Sequence, residues 1–170
     1  MLTKEAIEKY FLAEKAESWI CMAIGIAGIV TAIVAFVFLK TSFYKGLAIP
    51  LVLVGLLGGI VGFTVYKRSD EDRKRNVYAF GINPGELKEK ELPRMEVVMR
   101  NFVIYRYVEI ALALLGVALF FYFNTKEAQL FWKGFGVALA IMALLALTAD
   151  YFAEKRGYIY LTHLKDFINK

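Results

Sequence analysis

Two carboxylates stand at the edges of long uncharged stretches. Sixteen residues without a charge separate Glu109 from Lys126, and another 16 separate Lys133 from Asp150. Such a stretch crosses a hydrocarbon core only by taking its acid in with it, because about 20 residues are needed at 1.5 Å rise per residue. A charge so placed costs several kcal/mol and tends to serve a purpose. Spans at 104–124 and 132–153 put Glu109 roughly 6 Å below the edge of its helix and Asp150 at a similar depth. Arg106 stands one turn before Glu109, Glu154 one turn beyond Asp150, and Glu17 just ahead of the first apolar run. Arg106, Glu109, Asp150, Glu154 and Glu17 therefore form a candidate polar cluster at one level.

Several chemistries suit such a cluster. Paired ions one turn deep fix helix register without binding anything. The same groups serve a proton or cation path, or a site for a lipid headgroup or small ligand. A path also needs polar groups at mid-depth, where the chain offers Thr31 in one span and Leu56, Leu115 and Leu139 in the others, which argues against a pore through a single chain. A two-acid catalytic pair, Glu109 with Asp150, needs a water-filled groove reaching both. No zinc-protease motif, phosphate-cradling glycine loop or cysteine pair accompanies them. The lone Cys21 excludes an intrachain disulfide, and the lone His163 excludes a multi-histidine metal site. The expectation is a non-enzymatic protein without cofactor or metal.

The elements that must position these groups follow from charge segregation. Hydrophobic residues make up 59% of the chain, above the roughly 45–50% of a soluble domain. Trp19 to Leu39 is 21 residues without a charge, and Gly46 to Tyr66 another 21. A soluble helix of that length shows a polar face, and these do not. Four spans are expected, at about 19–40, 45–66, 104–124 and 132–153. The fold class is all-α: an integral membrane four-helix bundle of two tandem transmembrane hairpins.

An internal echo supports the tandem arrangement. "FYKGLAIPLV" at 43–52 returns as "FWKGFGVALA" at 131–140, so Lys45-Gly46 and Lys133-Gly134 lie 88 positions apart, as do the basic pairs Lys67-Arg68 and Lys155-Arg156. Two hairpins of the same topology are related by a pseudo-two-fold axis along the membrane normal. At that offset Asp150 corresponds to Gly62, and at an offset of 84 Glu109 corresponds to Gly25. The second hairpin carries acids where the first has glycine. In the second span, Gly55, Gly58, Gly59 and Gly62 form small-xxx-small pairs. They suit packing within the bundle or, alternatively, a homodimer seam.

Outside the spans, residues 1–80 begin with an amphipathic helix in which Thr3 caps and Leu2 staples onto Ile7. Residues 94–170 end with another, carrying Tyr158, Leu161, Leu164 and Ile168 at helical spacing. Both lie on the membrane interface or extend the spans. Residues 81–93 read as a linker that turns at Asn83-Pro84-Gly85, with Pro93 opening the next helix. The run "KRSDEDRKR" reads as a solvated helix end.

Sixteen Lys or Arg fall in the N-terminal segment, the 67–102 segment and the tail, against four in the two short loops. The bias places both termini and the central segment in the cytoplasm, with the protein in a cytoplasmic (inner) membrane of bacterial type. The net charge of +5 then suits anionic lipid headgroups at the cytoplasmic face, not nucleic acid. By elimination the role is binding: an accessory subunit of a membrane complex, or an immunity-type protein against a membrane-targeted toxin, with a protein partner or a second copy. A small transporter or channel at an oligomer interface is the alternative.

Overall fold

The computed structural model describes residues 1–125 and 127–169. Lys126 and Lys170, both counted above for orientation, lie outside the described residues. The chain is all-helical, with no strand among the described residues. α1 (Lys4–Val34) continues as a π-helical turn, Ala35–Leu39, and α2 (Ser42–Ile82) returns alongside it. The chain reverses at Lys40, whose φ of 52° puts it in the left-handed region that stops a helix. After α2 come a single helical turn, α3 (Pro84–Glu86), and a π-helical segment, Leu87–Glu91. Then follow α4 (Leu92–Phe123), a 3-10 turn at Glu127–Gln129 and α5 (Leu130–Ile168).

Four helical segments, of 36, 41, 40 and 39 residues, are long and apolar enough to cross a membrane. At 1.5 Å per residue each is about 54–62 Å long, against a hydrocarbon core of about 30 Å. The surplus collects at the end that holds both termini. There the expected terminal helices are direct continuations of α1 and α5. Thr3 caps α1 as expected, its hydroxyl accepting the Ala6 amide at 3.1 Å. The linker expected at 81–93 is almost all helix, its turn narrowed to Asn83, whose φ of −139° breaks the ladder. Pro93 sits in the first turn of α4, where its missing N–H costs nothing.

Two kinds of core follow one another along the bundle. At the terminal end the buried side chains are large: Leu2, Ile7, Tyr10, Phe11, Leu87, Met95, Tyr160 and Leu164. Tyr10 stacks on Tyr160 with ring centroids 4.2 Å apart. Burial pushes the pKa of both phenols above its ordinary value. Along the apolar lengths the pattern inverts. What is buried there is mostly small, such as Gly25, Ala32, Gly46, Ala48, Gly55, Gly62, Gly116, Gly134 and Ala138. What is exposed is large, such as Ile26, Val30, Ile33, Leu57, Ile60, Leu114 and Leu144.

Close backbone approaches explain the small residues. α1 lies along α2, α4 along α5, and α2 against α5. A methyl group on Gly46 would stand 1.9 Å from the Phe131 carbonyl oxygen, and one on Gly134 would stand 2.0 Å from that of Phe43. Gly46 and Gly134 are 88 apart, and so are Phe43 and Phe131. The two contacts are reciprocal between α2 and α5. Pro50 adds a local adjustment, since it lacks the N–H that would bond the Gly46 carbonyl one turn earlier.

The glycines of the second span divide by face. Gly55 and Gly62, two turns apart, meet the α1 backbone: added methyls would lie 2.8 Å from the Gly25 and Ser18 carbonyl oxygens respectively. A methyl on Gly58 would meet only the Cys21 carbonyl oxygen at 3.9 Å, and one on Gly59 nothing within 4 Å. The packing pair is thus Gly55 with Gly62, and the small-xxx-small pairs read from sequence each have one member off that face.

Candidate functional site

The residues of the candidate cluster stand near one another, but their partners differ from those the spacing suggests. Arg106 Nη2 reaches across to Glu154 Oε1 on α5 at 3.4 Å. A helical side chain leans toward its own N-terminus, and α4 begins at the charged end, so Arg106 leans away from the deeper Glu109 and meets Glu154 instead. Glu17 makes a bidentate pair with Arg156, one bond being Nη2 to Oε2 at 2.6 Å and the other Nη1 to Oε1. Arg156 was noted in sequence only as half of a basic pair. Glu109 and Asp150 face each other, and Asp150 also faces Glu154 and Glu17. Glu109 Oε2 is buried and makes no hydrogen bond. The single network expected from sequence is therefore two ion pairs flanking an acid pair.

Beside the acid pair an open groove of about 440 Å³ runs between α4 and α5, lined by Arg106, Ile110, Leu147, Thr148, Asp150, Tyr151, Phe152 and Glu154. Tyr151 and Phe152 are 59% and 58% exposed. The walls are largely apolar, and the polar groups sit toward the charged end. Among the lining residues two acids, Asp150 and Glu154, stand with one base, Arg106, so the polar end of the groove is acid-rich and suits a cationic group. Among the described residues no three His, Cys, Asp or Glu side chains group to hold a metal ion.

A second polar assembly escaped the sequence reading. Glu91, in the π-helical segment, is 1% exposed. Its carboxylate accepts from Arg94 Nε at 2.9 Å and Nη2 at 2.6 Å, and from Asn76 Nδ2 at 3.0 Å. Arg75 Nη2 lies 3.8 Å away. Burial works against the Arg94 charge, and the Glu91 carboxylate more than offsets it, so Arg94 is held above its ordinary range. One turn and more up α2, Arg75 pairs with Asp72 at 2.8 Å, and the Ser69 hydroxyl donates to Glu14 Oε2 on α1 at 3.0 Å. These groups tie α1, α2, the π-helical segment and α4 into one knot. The signal was present within "KRSDEDRKR" and beyond: Ser69, Asp72, Asn76 and Ala79 recur at helical spacing, a small and polar face among longer charges.

Comparison with protein-family models, curated proteins and solved structures finds no match for the chain.

Proposed function

We propose that the chain is an integral membrane protein of two tandem hairpins in a cytoplasmic-type membrane, with termini and central segment in the cytoplasm. We propose further that it works non-enzymatically, as an accessory subunit that engages a partner within the membrane. The membrane reading is supported by the inverted burial along the apolar lengths. In lipid no hydrophobic force drives large side chains inward, so helices associate through small residues and turn their large apolar ones outward. In water the order reverses, as it does at the terminal end. The tandem reading is supported by the reciprocal contacts of Gly46 and Gly134.

The observation that carries the binding role is the α4–α5 groove. It is open, apolar along its length and acidic toward its cytoplasmic end, a form that suits a membrane-spanning segment carrying a Lys or Arg at the cytoplasmic edge. An immunity-type protein would use the same contact chemistry on a toxin's helix. Catalysis is disfavoured because no zinc-protease motif, phosphate-cradling glycine loop or cysteine pair accompanies the two acids. Transport through one chain is disfavoured because Ala138, Leu139, Met142 and Ala143 are buried at mid-span.

A photo-crosslinking residue in place of Tyr151, in native membranes, tests the reading. The expected product is one discrete adduct whose cross-linked peptide is a membrane-spanning segment with a basic residue at its cytoplasmic edge. Glu109→Gln with Asp150→Asn should lower its yield about thirtyfold, since removing one side of a buried charge contact costs about 2 kcal/mol or more. The same residue in place of Leu57, exposed on α2, should give none. Adducts no different between the two positions would contradict the proposal.

A further inference from the structure

The first hairpin has a groove of its own at the matching place. Between α1 and α2 an open space of about 410 Å³ is lined by Leu12, Lys15, Ala16, Trp19 and Tyr66. Tyr66 and Glu154, on the walls of the two grooves, are 88 positions apart. The chemistry is opposite. Lys15 Nζ lies 4.7 Å from the centre of the Tyr66 ring and 2.5 Å from Asp70 Oδ2, while Arg73 Nη2 approaches Asp70 Oδ1 at 3.7 Å. Lys74 also faces Asp70. Three bases thus surround one acid, and Arg73 Nε is buried without a hydrogen-bond partner.

Position defines the occupant. Trp19 and Tyr66 end the two uncharged runs, and Trp19 is 60% exposed. Amphipathic rings at such a level sit among headgroups, with hydrocarbon on one side and water on the other. We propose that this groove is a site for an anionic phospholipid, its phosphate between Lys15 and Arg73 and its glycerol region against Trp19 and Tyr66. Asp70 holds the two bases in place and limits the net charge that the lipid meets. The pseudo-two-fold thus presents one hairpin to a cationic segment and the other to an anionic lipid. The inference rests on the membrane reading but not on what fills the α4–α5 groove.

The chain has two tryptophans, and they supply the test. Trp132 begins α5 at the opposite end of the apolar length, so Trp132→Phe and Trp19→Phe each leave one reporter, one per face. Each single-tryptophan protein is reconstituted with brominated phosphatidylglycerol or brominated phosphatidylcholine, and quenching gives the relative lipid preference. Trp19 should favour the anionic lipid about fivefold more than Trp132 does, as expected for the roughly one net charge of Lys15 and Arg73 against Asp70. Lys15→Gln with Arg73→Gln should remove that margin, and Asp70→Asn should enlarge it, a gain that misfolding does not produce. Lys155→Gln, exposed on α5, should leave it unchanged. Equal preference at both tryptophans overturns the site alone, and so does a Lys155→Gln effect as large as that of the groove variants. No quenching of either tryptophan overturns the membrane reading and the site with it.

Discussion

Replacing Gly46 by alanine is expected to separate the two halves of the molecule. The added methyl would stand 1.9 Å from the Phe131 carbonyl oxygen and 2.8 Å from its carbon. Both atoms are backbone of another helix, so no side chain can rotate away, and α2 must withdraw from α5. Overpacking of an interior costs about 1–3 kcal/mol and occasionally more, and a backbone-on-backbone contact belongs at the upper end, about 3 kcal/mol. Gly134→Ala meets Phe43 in the same way and should cost as much. The double variant should cost less than the sum, because both changes break one contact. Gly59→Ala, from the glycine-rich stretch of the same helix, meets nothing within 4 Å and should stay within about 0.5 kcal/mol of the parent. Thermal unfolding in mild detergent reads all four. A Gly59→Ala loss as large as that of Gly46→Ala would place the helix seam on the other face of α2.

Glu91→Ala should be the most damaging change at the end that holds both termini. It leaves Arg94, 18% exposed at its side chain, without its carboxylate, and Asn76 Nδ2 without an acceptor. Removing one partner of a buried ion pair costs about 3–5 kcal/mol. Glu91→Gln keeps the shape and loses the charge, and should cost less, about 1.5–3 kcal/mol. Glu89→Ala, two residues away and exposed, is the control and should change little. Glu91 joins the π-helical segment to α2 and α4, so its loss should also speed limited proteolysis within 81–93. Cleavage there at the parental rate in Glu91→Ala, with unchanged unfolding, would mean that the knot does not hold the helices.

The four long apolar helices were legible because uncharged length is a coarse mark in a sequence. Trp19 to Leu39 and Gly46 to Tyr66 lack charge altogether, and lipid imposes that over a fixed length. The 88-residue echo has a counterpart in contacts, since Gly46 meets Phe131 and Gly134 meets Phe43. Even so, Gly46 and Gly134 were noted as markers of the repeat, while packing was sought at Gly55, Gly58, Gly59 and Gly62. Spacing along one helix says which glycines share a face. It does not say which face meets a neighbour.

The polar cluster was legible by depth and not by pairing. Arg106, Glu109, Asp150, Glu154 and Glu17 do gather near one level, since apolar length fixes where charges emerge. Their partners depend on the lean and rotation of separate helices, so Arg106 met Glu154 and Glu17 met Arg156. Glu91 was missed for a further reason: "ELKEKE" reads as a solvated turn, and only the packing of three other helices takes that one acid out of water.

The central claim is that the chain crosses a membrane four times with its charged end in the cytoplasm. The direct measurement is labelling of single cysteines in a Cys21→Ser background with an impermeant maleimide. Ser69 cannot report, being 1% exposed and bonded to Glu14. Ser42 and Glu89 are exposed at opposite ends of the bundle. Ser42→Cys should label in intact cells, and Glu89→Cys only after the membrane is opened. Labelling of Glu89→Cys in intact cells, with Ser42→Cys protected, would reverse the orientation and move both grooves to the other face. Labelling of both in intact cells would contradict the four-span arrangement itself.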